Sequence, residues 1–211
     1  MKKAVITVAR QFGSLGEEVC QTLSKLLGIP FYDRELITLA AQGEDALDEA
    51  VLESADEKPT NSFLYSIAMG ASTGLFSVAA GSHLSMPLND KVFIRQSAVI
   101  RSLADKESCI ILGRCCDYVL KQHPDRISVL LYSDLAARQK TVAEKQGISE
   151  SDALAIINKQ DKRKATYYNF YTGEKWGDFK KFDLALNTAR LGAEGTARVI
   201  ADFVRAAKGD A

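Results

Sequence analysis

Residues 4–18 read AVITVARQFGSLGEE, and this stretch decides the fold. The run from Ala4 to Ala9 is short, apolar and rich in β-branched residues, the pattern of a strand buried on both faces. Gly13 and Gly16 follow it. The next segment, GEEVCQTLSKLLG, places Val19, Leu23, Leu26 and Leu27 at helical spacing, with Gly28 set to end the helix. A glycine-rich turn between a buried strand and a helix brings backbone N–H groups and the helix N-terminus together on an anion, most often a phosphate.

The same alternation continues outward from that unit. A second apolar run spans Ile29 to Tyr32, after which Asp33 is placed to cap a helix carrying Leu36, Ile37, Ala40 and Ala41. A second, acidic helix is expected over about residues 44–56, and residues 59–89 are rich in serine, glycine and alanine without periodicity. From residue 90, Val92, Phe93, Gln96, Val99, Ile100 and Leu103 form a helical stripe that leads into SCIILG, a third strand with Gly113 and Arg114 at its carboxyl end. A short helix, the strand ISVLLYS, helices over 134–146 and 150–171, the strand FDLALN and a last helix over about 193–207 complete the chain. Short buried strands separated by helices predict an α/β fold of three layers, a parallel five-stranded sheet with helices on both faces. Ligands in such folds bind beyond the carboxyl ends of the strands. That rule singles out residues 10–18, 33–35, 113–117 and 187–188.

Bulk composition narrows the chemistry. A chain of 211 residues is within reach of one hydrophobic core, so a single domain is expected. Lysine plus arginine balances aspartate plus glutamate at 27 each, which leaves no basic field to hold a nucleic acid backbone. The four cysteines form no CxxC pair, and His83 and His123 are the only histidines, so no metal cluster is expected. The N-terminal apolar run is too short for a signal peptide core, which points to a cytoplasmic protein. Residues 63–81 carry no charge, but serine, threonine and glycine interrupt them too often for a membrane span.

The loop itself departs from the phosphate-binding pattern GxxxxGK[ST], in which a lysine reaches the β and γ phosphates and a hydroxyl holds magnesium. Two registers are open. With Gly16 as the last glycine, Glu17 and Glu18 take the lysine and hydroxyl positions; with the glycine–serine pairs matched, Gly16 itself replaces the lysine. Both lose the cation, and the nearest substitute is Arg10, whose planar guanidinium can bind phosphate oxygens in pairs. Its plain alternative is a surface arginine.

The strings ITVARQFGSLGEEV and LGIPFYDRELI, then MPLNDKVFIRQSAVIRSLA, CIILGRCCDYVL and DKRKATYYNFYTGEKWGDFKKFDLALNT, in order along nearly the whole chain, resemble the cytidylate kinase-like family, a branch of the P-loop nucleoside monophosphate kinases. The resemblance implies an adenylate kinase-like core over about 1–32, 90–145 and 183–211, an acceptor-binding insertion over about 33–89, and a helical lid over about 150–182. It implies ATP as donor with Mg2+, a small-molecule nucleotide as partner, and phosphate or nucleotide contacts from Gly13, Ser14 and Gly16. It places Asp33 beside the acceptor nucleoside and Asn187 and Thr188 beside the donor base. Arg114 matches the arginine of the family's GRD turn, while Cys115 stands where the aspartate would be and Asp117 is the substitute. Lys159, Lys162 and Arg163 resemble the lid cations, and Arg10, Arg114, Lys162 and Arg163 are the expected catalytic charges. Two alternatives remain: a regulatory protein that binds a nucleotide or anion without turnover, and an interaction protein, a homodimer through residues 63–81.

Overall fold

The computed structural model describes residues 2–33, 37 and 88–209. Five strands, β1 (Val5–Arg10), β2 (Phe31–Tyr32), β3 (Cys109–Leu112), β4 (Arg126–Tyr132) and β5 (Leu184–Asn187), form one sheet in the order β2-β3-β1-β4-β5. Every pairing is parallel, with Val8 opposite Leu112 on one side of β1 and Arg10 opposite Leu131 on the other. The described helices are α1 (Gly16–Leu27), α2 (Leu88–Lys106), α3 (Cys116–Val119), α4 (Leu135–Gln146), α5 (Glu150–Thr172) and α6 (Thr188–Lys208).

The two faces of the sheet are separate cores because side chains alternate along each strand. Ile6, Val8, Ile110, Leu112, Val129 and Leu131 pack with Val19 and Leu23 of α1 and Ile200 and Val204 of α6. On the opposite face Val5, Cys109 and Ile111 meet Ile100 and Ala104 of α2 and Cys116 and Leu120 around α3. The predicted parallel sheet wrapped on both faces is therefore present. Within it, the last helix begins five residues earlier than its sequence pattern: Asn187 caps a first turn, and Gly192, at φ 63° and ψ −178°, breaks the helix where the pattern starts. The expectations for helices after Asp33, the acidic helix over 44–56 and the uncharged stretch 63–81 lie outside the described residues.

One consequence of this topology is that the carboxyl ends of β1, β3 and β4 are neighbours, which brings residues 10–18, 113–117 and 133–134 to one edge. Helix α5 crosses that edge. Its inward stripe is Ile157, Asp161, Lys164, Tyr168 and Tyr171, at the three- and four-residue spacing of one helical face. Tyr171 donates from its hydroxyl to Asp90 of α2 at 3.0 Å and stacks on Phe93 at 4.2 Å between ring centroids.

Candidate active site

The loop after β1 is shaped by two backbone features. Gly13 has φ 78°, and a Cβ there would lie 2.9 Å from Val142 of α4, so only glycine fits between loop and helix. Leu15 is left-handed at φ 57° and forms the N-cap of α1, which makes Gly16 the first helical residue. In the pattern GxxxxGK[ST] the lysine follows a left-handed-compatible glycine at the mouth of the helix. Leu15 and Gly16 hold those two places, which selects the register in which Gly16 replaces the lysine and Glu17 the hydroxyl.

What fills the lysine's space is Arg10. A Cβ added to Gly16 would lie 2.8 Å from Arg10 Cγ and 3.1 Å from its Cβ, and one added to Gly113 would run into Arg10 Nη1, with Cζ at 3.1 Å. The arginine stem thus crosses the face of Gly16 and carries its guanidinium to the turn after β3. The arginine stem requires the glycine at 16, while at 113 the φ of 78° favours glycine beneath the guanidinium.

The turn after β3 is strained. Gly113, Arg114 and Cys115 are left-handed in succession, at φ 78°, 57° and 52°. Glycine adopts this freely, but each residue with a Cβ pays on the order of 1–2 kcal/mol. The described residues other than glycine with positive φ are Leu15, Arg114 and Cys115, all at this edge. Strain of that kind persists where the surroundings over-determine it, most often at functional sites.

Two cavities meet across Arg10. One of about 210 Å³ is lined by the loop from Arg10 to Glu18 together with Leu112, Val142, Lys145 and Lys164. A second, of about 30 Å³, is lined by Arg10, Gly113, Arg114, Asp117, Lys164, Tyr168 and Trp176 among others. Arg10 and Lys164 line both. Lys164 Nζ reaches the Arg10 carbonyl at 3.5 Å and lies 5.6 Å from the centre of the Phe12 ring. Asp161 fixes the helix above the loop: its Oδ1 accepts the Phe12 N–H at 3.1 Å and its Oδ2 accepts from buried Arg138 at 2.5 Å. Glu18 pairs with Lys145, whereas Glu17 accepts from Gln21 at 3.2 Å.

Of the residues expected from sequence, Arg10, Gly13, Ser14, Gly16, Arg114 and Asp117 come together at these cavities. Ser14 is buried, and its hydroxyl donates to the carbonyl of Gln11 at 2.9 Å, closing the loop from within. Lys159 and Lys162 are exposed on the outer face of α5, and Arg163 is half-buried beside them. Asp33 follows β2 at the far end of the edge and accepts the Ile37 N–H on its carbonyl, as an N-cap does. Asn187 and Thr188 lie at the opposite end with their polar atoms engaged. Asn187 accepts from the Ala189 N–H and donates to Asp134, and the Thr188 hydroxyl donates to the Tyr132 carbonyl. The direction α5 faces brings Lys164 and Asp161 to the loop, and Arg138 of α4 joins them through its ion pair with Asp161.

Burial pushes the Asp117 carboxyl up from the ordinary aspartate range, an effect only partly offset by the Tyr168 hydroxyl, which donates to Oδ2 at 2.7 Å. A raised folded-state value means that the folded protein keeps this proton over a pH range in which the unfolded chain has lost it. Asp117 therefore costs stability as pH rises through that range. Asp117→Asn, which keeps an oxygen acceptor for Tyr168, is expected to match the wild type in thermal melts below the ordinary aspartate range and to exceed it at neutral pH; parallel melting profiles contradict the assignment. Burial pushes the Cys20 thiol up to about 12 and the Cys116 thiol well above its ordinary value, so both stay protonated at neutral pH.

Among the described residues no helix is long and apolar enough to cross a membrane. The model of the cytidylate kinase-like family matches residues 5–190. A cytidylate kinase of Methanothrix thermoacetophila is 27% identical over 108 residues, which span 51% of this chain and 61% of that protein's length. An uncharacterized protein from Eubacterium ventriosum superposes with a TM-score of 0.72 at 28% identity, covering 97% of this chain and 99% of that one. The shikimate kinase of Bacteroides thetaiotaomicron, at 10% identity and a TM-score of 0.55 over 96% of this chain and 98% of its own, shares the fold.

Proposed function

The chain belongs to the cytidylate kinase-like family, and from that premise we propose that it transfers a phosphoryl group from ATP to a nucleoside monophosphate or a comparable small acceptor. The observation that carries this reading is that Arg10 and Lys164 line both the loop cavity and the cavity at Arg114 and Asp117. A group passing from a donor in the loop cavity toward Arg114 passes these two cations.

Phosphoryl transfer leaves little covalent work to the protein; it needs alignment and positive charge around the transferring oxygens. In this reading the loop amides over residues 13–17 hold the donor phosphates, and the Arg10 guanidinium stands in for the absent ammonium. Arg114 holds the acceptor's phosphate and Asp117 orients its turn. The segment 150–182 acts as the lid, with Lys164 on its inward stripe and Lys159, Lys162 and Arg163 as outer cations, while residues 33–89 form the acceptor side with Asp33. Magnesium fits this arrangement on one protein carboxylate, Glu17, at the position of the usual hydroxyl, because such sites draw their other ligands from phosphates and water. Bound there it would neutralise phosphate charge.

A second reading is a protein of the same fold that binds a nucleotide or anion without turnover. It is favoured by the replacement of the lysine by Gly16 and by the glutamates at the helix mouth. Calorimetric titration with nucleoside mono- and triphosphates, with and without magnesium, followed by a coupled assay across the nucleoside monophosphates, separates the two. Turnover with at least one acceptor is expected; tight binding with no turnover for any acceptor selects the second.

A further inference from the structure

The backbone at Phe12 is gripped on both of its polar groups by side chains of two different helices. Its N–H donates to Asp161 Oδ1 of α5 at 3.1 Å, and its carbonyl accepts from Arg138 Nη1 of α4 at 3.4 Å. The same Nη1 donates to Asp161 Oδ2 at 2.5 Å. A ring therefore runs from the Phe12 amide through the carboxylate and the guanidinium back to the Phe12 carbonyl. The Arg138 side chain is 9% exposed and that of Asp161 27%, so the pair is sheltered from the water that makes surface ion pairs weak.

This ring acts on the loop and not on a ligand, since neither Asp161 nor Arg138 lines either of the two cavities that meet across Arg10. The contacts around it hold the same segment. The Phe12 ring packs against Val142 of α4 and Ala153 and Ile157 of α5. Lys164, three residues beyond Asp161, reaches the Arg10 carbonyl at 3.5 Å, and a Cβ at Gly13 would lie 3.2 Å from the Arg138 carbonyl oxygen. Residues 10, 12 and 13 each touch α4 or α5, and they lead directly into the loop amides.

The chemistry at position 161 is specific to a carboxylate. Two donors converge there and each takes one oxygen, whereas the side-chain amide of an asparagine has a single oxygen and would turn its NH2 on the second donor.

We infer that Asp161 and Arg138 are positioning residues that fix the Phe12 backbone and thereby couple the docking of α5 to the loop's hold on an anion. The coupling rests on the phosphate-binding reading of that loop. Its sign is opposite to plain electrostatics. Asp161 is a negative charge near an anion site, so losing the charge alone would tighten binding, while losing the clamp removes preorganisation and weakens it. Coupling is also reciprocal: an anion in the loop holds α5 in place as much as α5 holds the loop.

Inorganic tripolyphosphate is titrated calorimetrically into the wild type, Asp161→Asn and the double variant Asp161→Asn/Arg138→Gln. Hydrogen exchange over residues 150–172 is followed with and without it. The double variant leaves the net charge unchanged and no buried charge without a partner, so it answers the question even where Asp161→Asn alone fails to fold. Both variants are expected to bind tripolyphosphate about fivefold or more weakly, the lower end of coupling between sites. In the wild type tripolyphosphate is expected to slow exchange over 150–172, and in the variants that protection is lost. Affinity equal to or above that of the wild type in the double variant, or exchange slowed equally in wild type and variants, overturns the coupling and leaves the phosphate reading of the loop in place. A wild-type protein that binds no tripolyphosphate overturns that reading and the coupling with it.

Discussion

Replacing Arg10 by alanine is expected to weaken tripolyphosphate or ATP binding by about 10- to 150-fold, and to slow any phosphoryl transfer by about 100- to 1,000-fold. The first figure follows from hydrogen bonds to a charged partner, worth about 1.5–3 kcal/mol, at about 1.4 kcal/mol per factor of ten. The second is the usual effect of removing one group aimed at developing charge. Arg10 is suited to the larger effect because its stem lies against Gly16 and its guanidinium against Gly113, so it is already ordered before a ligand arrives. Arg10→Lys is expected to fall between the two, since an ammonium keeps the charge and loses the planar fork. Calorimetry and a coupled assay read both quantities; wild-type affinity in Arg10→Ala sinks the assignment of Arg10.

Gly16→Lys is expected to make matters worse, although it restores the lysine that the loop pattern calls for. A Cβ at Gly16 meets Arg10 Cγ at 2.8 Å, so the new side chain and the arginine compete for one space, an overpacking worth about 1–3 kcal/mol. Combining it with Arg10→Gly, which also removes the Cβ at 3.1 Å, opens that space and lets the lysine project from the first turn of α1. The double variant is expected to bind tripolyphosphate at least tenfold more tightly than either single variant. Coupling of that sign and size belongs to residues sharing one site. Additive losses in the double-mutant cycle mean that Arg10 and the absent lysine do different work.

The parts of this molecule that were legible in its sequence are those set by local pattern. Val5 to Arg10, Cys109 to Leu112 and Arg126 to Tyr132 are apolar runs bounded by glycine or turn residues, and they are the central strands. The glycines at 13 and 16 marked the loop. What the pattern left open was direction. The run KQDKRK puts a cation on every side of α5, and only the packing of Ile157, Tyr168 and Tyr171 turns Lys164 inward and Lys159 and Lys162 out. The left-handed turn at Arg114 and Cys115 had no glycine to announce it beyond Gly113. Asn187, which the resemblance places beside the donor base, caps α6 with its side chain. The clamp on Phe12 joins it to Arg138 and Asp161, which no stretch of sequence encodes by itself.

The replacement of the loop lysine by Arg10 is tested most directly by a crystal structure with a non-hydrolysable ATP analogue bound. The expected density has the terminal phosphates against the amides of residues 13–17, with the Arg10 guanidinium within hydrogen-bond reach of their oxygens. An analogue bound elsewhere, or phosphates in the loop with the guanidinium turned away from them, contradicts it.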